Sequence, residues 1–473
     1  MDFKVTRYFR NLENLVESYP MIILSEDNWN DYGYYTLFHM HYFDEEKKHW
    51  EIGDVKILHE ENEDSRSLIP TKFKNLKDEF CSLGQTLDYY EELLRLKNNK
   101  GIEILRALKD VVIDKDSYKK FKDNNGFSSS LIRFSEAEKA LEKAIYLFEE
   151  NEKQEENYKF TFKYQLKGAN APHEIPFDFT KSNLPNRINV LIGKNGTGKT
   201  QILSKIAAVV SGYERTKVKN FLPVKPLFGK IIAVSYSVFD EFDRPKKDGE
   251  LFSYKYCGIR DKENKVISDN QIKDTLISNI ELLHKKNRFD LWLNYMSEIL
   301  GRDSFELLEN YLEDGKINLS SGQSLILLTM TELITNIEDE SLVLFDEPEN
   351  HLHPNALSNL IKVLNEILEE FNSYAILSTH SSIVVQEIPS RYIKVIERNG
   401  TIPFIRDLHI ESFGENLTTI TNEVFDVKNS ESNYKTILRR LSKNLRYNDI
   451  LEMFGDNLSY NAVVFLNKIY KDK

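Results

Sequence analysis

The sequence lacks any apolar run long enough to cross a bilayer. Its apolar stretches, as at 231–234 and 341–345, are short beside the roughly 18 residues a spanning helix needs, so no membrane partner is expected. The opening "MDFKVTRYFRNLE" has no apolar h-region, and no secretion signal is expected. Cysteine is scarce. Cys81 and Cys257 stand far apart, which excludes a disulfide framework and any CxxC zinc pattern. A cytoplasmic location is the resulting expectation. Positive charge is also in deficit. A net charge of −12 argues against a wholly basic nucleic-acid binder, although a local basic stripe stays open. Segment 213–230 carries five Lys or Arg and one Glu. It reads as a solvated loop or, more sharply, as a phosphate-backbone contact. There is no internal repeat and no low-complexity tract.

What is present is an ordinary globular composition over 473 residues, 41% apolar and 29% charged, enough for two or three domains. Residues 1–73 read as a β-rich N-terminal segment packing with the rest: "YYTLFHMHYF" alternates like a strand, and "HWEIGDVKIL" reads as another with a Gly turn. Residues 74–157 read as a helical insertion, through "LKDEFCSLGQTLDYYEELLRLK", "GIEILRALKDVV" and "SSLIRFSEAEKALEKAIYLFEENEKQ". The acidic run 148–157 reads as an exposed link. Over 158–400 strands and helices alternate. "INVLIG", "KIIAVSYS", "SLVLFD", "SYAILST" and "RYIKVIE" are buried-strand candidates, and 267–300, 303–313, 322–337 and 354–371 are helical. This argues an α/β core with a largely parallel sheet. Residues 401–473 read as a C-terminal helical segment.

The chemistry is concentrated in that core. Gly193-Lys194-Asn195-Gly196-Thr197-Gly198-Lys199-Thr200 fits G-x-x-x-x-G-K-[ST], with an apolar strand before it and a helix after it. Such a loop curls so that its N–H groups face phosphate oxygens, and the helix N-terminus favours the same charge. Lys199 is expected to reach the β- and γ-phosphates, and the Thr200 hydroxyl to bind Mg²⁺. Asp346 and Glu347 end an apolar strand. The first suits Mg²⁺ beside Thr200, and the second can orient or deprotonate an attacking water. His380, ending the next strand, can touch a γ-phosphate. The stretch "LSSGQ" places Ser320, Ser321 and Gly322, followed by Gln323, at the start of an apolar helix, a second anion site by the same physics. One chain therefore holds one phosphate loop and two sets of γ-phosphate donors.

The order phosphate loop, "LSSGQ", "LVLFDEPE", "STH" resembles the nucleotide-binding domain of ABC-class ATPases, with Ser321 where the LSGGQ signature has its first Gly. "DEPENHLHP" is similar to the soluble SMC, Rad50, RecF and OLD-type branch. A narrower likeness, carried by "SEDNWNDYGYYTLF", "GDVKIL", "SYSVFDEFDRP" and "ESFGENLTTITNEVF", is to the PtuA ATPases of Septu-type anti-phage systems, also found beside some retrons. The resemblance implies an ABC-type head, a mixed phosphate-loop sheet flanked by helices. It implies ATP and Mg²⁺ as ligands and a homodimer closed around ATP, with higher homo-oligomers left open. Ser321 and Gly322 of one subunit would then cap the γ-phosphate held by Lys199 of the other. Asp346 would support Mg²⁺, Glu347 would be the catalytic base and His380 the switch histidine. A separate HNH-type nuclease is the expected partner, with a reverse transcriptase and its non-coding RNA if the system is a retron.

There are departures. No Gln stands directly after the strand "KIIAVSYS" to serve as a Q-loop, leaving Ser237 or Asp240, and the last D-loop position is His353 rather than Asp. Only 118 residues separate Thr200 from Leu319, too few for a long SMC arm. No D-x-D comes after His380, so no TOPRIM-like nuclease site of its own is expected. The pair His351 and His353 reads as the D-loop, and His39 with His41 as alternation on one strand face rather than a metal pair. A repair or recombination ATPase of RecF or Rad50 type that clamps DNA directly is the alternative, and a transporter subunit the third reading.

Overall fold

The computed structural model describes the chain apart from residues 9, 11, 149–157, 213, 215–219, 224, 238–241, 243–253, 262, 264, 302–320, 426–432, 456 and 472–473, and describes residues 98, 146, 269, 270 and 321 by backbone only. The expected link at 148–157 lies almost wholly outside the described residues, as do the helix at 303–313, Ser320 and Asp240. The chain divides into two units, 1–414 and 415–473.

The first unit opens with β1 (Asp2–Thr6), β2 (Met21–Glu26), β3 (Leu37–Phe43), β4 (His49–His59), β5 (Lys72–Phe73) and β6 (Phe80–Gly84), in the sheet order β5-β1-β2-β3-β4-β6. Gly53 was expected to turn the chain. Instead β4 continues through it, with φ +121° at Gly53 beside a bulge at Ile52, the extra residue between the pairs Met40–Gly53 and His41–Glu51. Gly is used here because the bulge needs a backbone that side chains resist. Residues 80–84 read as helical in the sequence but form β6, pairing with 55–59 of β4, all five of them buried. A short apolar run buried on both faces carries no period that separates strand from helix. The helix starts only after Thr86, whose Oγ1 accepts from the Tyr89 N–H at 3.2 Å. It is α1 (Leu87–Leu94), followed by α2 (Lys100–Ala107), α3 (Lys115–Phe121) and α4 (Ser135–Phe148). Sheet and helices share one apolar core that includes Phe38, Ile57, Leu83, Tyr89 and Ala140.

A buried ionic cluster ties this layer to the next one along the chain. Asp31 and Lys56 are fully buried and lie 2.7 Å apart, and Arg133 Nη1 reaches the other Asp31 oxygen at 2.6 Å. Ser130 Oγ donates to Asp31 at 2.8 Å, and Lys56 donates to the Ser130 carbonyl at 2.9 Å. Such a cluster holds only while every member is paired, because an orphaned buried charge is strongly destabilising. Arg133 and Phe134 then pass into the second core, where Phe134 packs with Phe160, Leu203 and Ile231.

The chain continues through β7 (Lys159–Tyr164), β8 (His173–Asp178), β9 (Ile188–Ile192), α5 (Lys199–Val210), β10 (Phe221–Leu222), β11 (Ile231–Ser235), β12 (Tyr254–Gly258), α6 (Asp269–Lys285), α7 (Phe289–Leu300), α8 (Ser321–Asn336), β13 (Leu342–Asp346), α9 (Pro354–Glu370), β14 (Tyr374–Thr379), α10 (Ser382–Gln386), β15 (Ile393–Asn399) and β16 (Ile402–Arg406). The main sheet has the order β12-β11-β13-β14-β9-β15-β16, parallel except for the β15/β16 pair. The α/β head with a mixed phosphate-loop sheet, expected from the motifs, is thus present. Segment 267–300, expected as one helical stretch, is two helices divided near Asn287, where φ is +54°. The carboxyl ends of β9, β13 and β14 open at one edge, where α/β sheets form their ligand crevice.

The second unit is helical: α11 (Leu417–Phe425), α12 (Asn433–Asn444), α13 (Tyr447–Met453) and α14 (Tyr460–Lys471), with a small core of Leu438, Ile450, Ala462 and Leu466.

Candidate nucleotide site

The turn after β9 is shaped by glycine at two places. Gly193 has no room for a side chain, since a Cβ would lie 2.2 Å from the Ile396 carbonyl oxygen. Gly198 has φ +93° and precedes α5 directly. Thr197 Oγ1 donates to the Lys194 carbonyl at 2.9 Å and closes the loop. Around Gly196, φ +77°, a Cβ would meet nothing within 4 Å. The loop therefore faces open space with its backbone, as a phosphate cradle requires.

Lys199 is buried and folded under the loop. Its ammonium donates to the carbonyls of Gly193 (3.0 Å) and Lys194 (3.4 Å) and to His380 Nε2 (2.8 Å). Burial lowers its pKa to about 8 against the pull of Glu347, Asp346 and Glu349. Thr200 Oγ1 donates to both oxygens of Asp346, at 3.0 and 2.9 Å, and Ser378 Oγ donates to the same carboxylate. Burial raises Asp346 to about 6, against the hydrogen bonds from Ser378 and Thr200. One hydroxyl and one carboxylate side by side form a hard-oxygen donor set that fits Mg²⁺.

Glu347 adopts the left-handed φ of +48°, uncommon for a residue with a Cβ, at the tip of β13. Its Oε1 lies 3.4 Å from His380 Nε2, and Asn350 Nδ2 donates to its Oε2 at 2.9 Å. The His380 contact, then the Asn350 bond, holds its pKa below the usual carboxylate value despite partial burial. Glu349 anchors the neighbouring strand end: Thr379 Oγ1 donates to it at 2.9 Å and the His380 N–H at 2.5 Å.

The five residues Lys199, Thr200, Asp346, Glu347 and His380, drawn from three strand ends, thus meet in one place. They adjoin a cleft of about 460 Å³ that Asn195, Gly196, Thr197, Gly198, Lys199, Thr200, Glu347 and His380 line. Gly322 and Gln323 do not line it. The start of α8 packs instead on the turn after β13, so closely that a Cβ on Gly322 would lie 2.2 Å from the His351 carbonyl oxygen. His353 caps α9, its Nδ1 accepting from the Asn355 N–H at 3.4 Å. Ser237 lies just past β11 and does not line the cleft. His39 is held by Asp27 and Asp54, which raise its pKa to about 10, while His41 Nδ1 lies 3.1 Å from His49 Nε2.

Sequence reasoning missed the far wall. Leu166, Lys167 and His173 from the β7–β8 hairpin and Arg398 from β15 also line the cleft. Arg398 Nη1 donates to the Gly196 carbonyl at 2.8 Å. No motif marks these residues, because their nearness comes from sheet order alone.

Comparison with known proteins agrees with the geometry. Residues 239–386 match a family model described as "AAA domain, putative AbiEii toxin, Type IV TA system". The chain is 30% identical to protein Ea59 of Escherichia phage lambda, over 95% of each chain. It is 28% identical to the "Putative ABC transporter ATP-binding protein MG303" of Mycoplasma genitalium, over 38% of this chain and 44% of that one. Among solved structures, a nucleotide-free ATP-binding cassette from an ABC transporter aligns with 56% of this chain and 94% of its own, at 15% identity and a TM-score of 0.30.

Proposed function

The chain belongs to the family of phage lambda protein Ea59, and from that premise we propose that it is an ABC-type, ATP-hydrolysing switch whose active site is shared between two copies. ATP is the substrate. The loop from Asn195 to Gly198 cradles its phosphates, and Lys199 turns from the loop carbonyls to the β- and γ-oxygens. Thr200 and Asp346 hold Mg²⁺, which when bound neutralises phosphate charge. Glu347, ionised at neutral pH, accepts the proton of the attacking water, and His380 orients the carboxylate and the γ-phosphate together.

The observation that carries the shared site is the seating of Gly322 against His351, outside the residues that line the cleft. A second copy would bring Ser320, Ser321, Gly322 and Gln323 to the γ-phosphate. This resolves the surplus of anion donors on one chain. The likeness to a phage protein, and to a family model whose description names a toxin–antitoxin system, supports a role in conflict between phage and host. In that reading the chain resembles a Septu-type PtuA ATPase and governs a separate HNH-type nuclease. The helical segment and the C-terminal tail serve as docking and oligomerising surfaces, and a reverse transcriptase with its RNA joins where the system is a retron.

The test is complementation. Lys199→Ala should lose ATP binding, Glu347→Gln should bind ATP but scarcely hydrolyse it, and Ser321→Arg should bind ATP as a monomer without turnover. Mixing Lys199→Ala with Ser321→Arg rebuilds one intact composite site, so activity returns. No return, with subunit exchange demonstrated, places the whole site in one chain. Wild-type turnover by Glu347→Gln removes the assignment of the base.

A further inference from the structure

We propose that α12 is a docking face for the backbone of duplex DNA, an inference that does not rest on the switch reading of the ATP site. Between residues 433 and 446 the sequence carries Lys435, Arg439, Arg440, Lys443 and Arg446 and no acidic residue, within a chain whose net charge is −12. A helix advances about 100° per residue. On that wheel Leu438, Leu441 and Leu445 share one side. They turn inward, Leu438 buried with Ile450, Ala462 and Leu466, and Leu441 and Leu445 packed against that cluster. Lys435, Arg439, Lys443 and Arg440 fall in a sector about 140° wide on the other side, together with Thr436. Arg440 and Lys443 are exposed.

The face is built as well as charged. Lys435 and Arg439 lie over the Phe465 ring of α14, at 5.9 and 5.3 Å, which steadies both stems against the unit's core. Twelve residues of helix extend about 18 Å, and duplex DNA carries a charge about every 1.7 Å of its axis, so four cations can each meet a phosphate.

Duplex is favoured over single strand by what the face lacks. Binders of single strands stack bases on aromatic rings. Here the rings beside the cations, Tyr434 and Phe465, are engaged with each other edge to face and lie under Lys435 and Arg439. Cations whose neighbouring rings are already engaged read a phosphate backbone. A nuclease partner would dock on other faces of the tail or on the helical segment, since a protein that handles nucleic acid presents like charge to this one.

The experiment uses the full chain and a fluorescein-labelled duplex of about 30 base pairs, titrated across a range of salt; four phosphate contacts give a log–log slope near −3.6. Arg440→Glu with Lys443→Glu should weaken binding at least about tenfold and flatten the slope by about two units. Arg440→Gln with Lys443→Gln should flatten it likewise without reversing charge, which guards against a folding defect in the first variant. Both should keep wild-type ATP turnover, which separates failure here from failure of the ATPase reading. Three results overturn the proposal: unchanged affinity and slope in both variants, tighter binding of a single strand of equal length, or displacement of the duplex by poly-L-glutamate at matched charge, which would make the face a site for acidic protein.

Discussion

Asp110 is the carboxylate most at odds with its surroundings. It is fully buried, and its oxygens accept from the Val112 N–H at 3.0 Å and the Tyr90 hydroxyl at 3.0 and 3.1 Å, with no cation among these donors. Burial raises its pKa from 3.8 to about 7, against those hydrogen bonds. The folded state therefore binds the proton more tightly than the unfolded chain. Its stabilising effect is full below pH 3.8 and is lost as pH rises through about 7. The span is at most about 4 kcal/mol, taking ~1.4 kcal/mol for each pH unit of difference. Denaturant melts of the wild type at pH 5 and pH 8 should show the part of this loss that falls above pH 5, and Asp110→Asn should reduce it by stabilising the chain at pH 8. Equal pH dependence in both proteins would remove Asp110 as the cause. Residues of this kind are invisible in a sequence, because burial belongs to the fold. Lys199, Thr200, Asp346, Glu347 and His380 were legible for the opposite reason: each sits at a helix start or strand end inside a short covalent pattern. Glu349, His173 and Arg398 join them only through register and sheet order.

Among elements, strands β9, β11, β13, β14 and β15 were readable as apolar runs ending in polar or glycine-rich turns, since a parallel sheet buries both faces. β6 was not, because five consecutive buried residues have no polar partner to display a period. The contact between α8 and the turn after β13 was equally hidden, since only the absent Cβ of Gly322 permits it. A Cβ placed 2.2 Å from a backbone oxygen cannot be relieved by turning a side chain, so helix or turn must shift. Gly322→Ala should therefore leave ATP binding by the isolated chain near the wild-type value while lowering turnover about tenfold or more, equivalent to ~1.4 kcal/mol of barrier. Equilibrium binding and steady-state hydrolysis measured on one preparation decide it. Loss of binding in step with turnover would mean that α8 supports the cleft of its own chain.

For the whole molecule, the core around the N-terminal sheet and the core beneath the nucleotide cleft meet at Arg133 and Phe134 within the first unit. Among the described residues, the N-terminal layer supplies none that line the cleft. A surface so placed suits an effector that senses the state of the site without touching ATP. Purified alone, the chain should not cleave DNA. With a nuclease partner of the kind proposed above, cleavage should appear and change with nucleotide, by 5- to 150-fold for a coupling of ~1–3 kcal/mol. Robust cleavage by the chain alone, surviving Glu347→Gln and repeated purification, would end that division of labour. The seating of Gly322 away from its own cleft has one more consequence. If each chain brings half of every site, a scarce protein is a silent one, and output at low abundance rises with the square of copy number rather than in proportion to it. Dosage then becomes a threshold: a few stray copies in a resting cell do nothing, and modest induction is amplified before any other signal arrives.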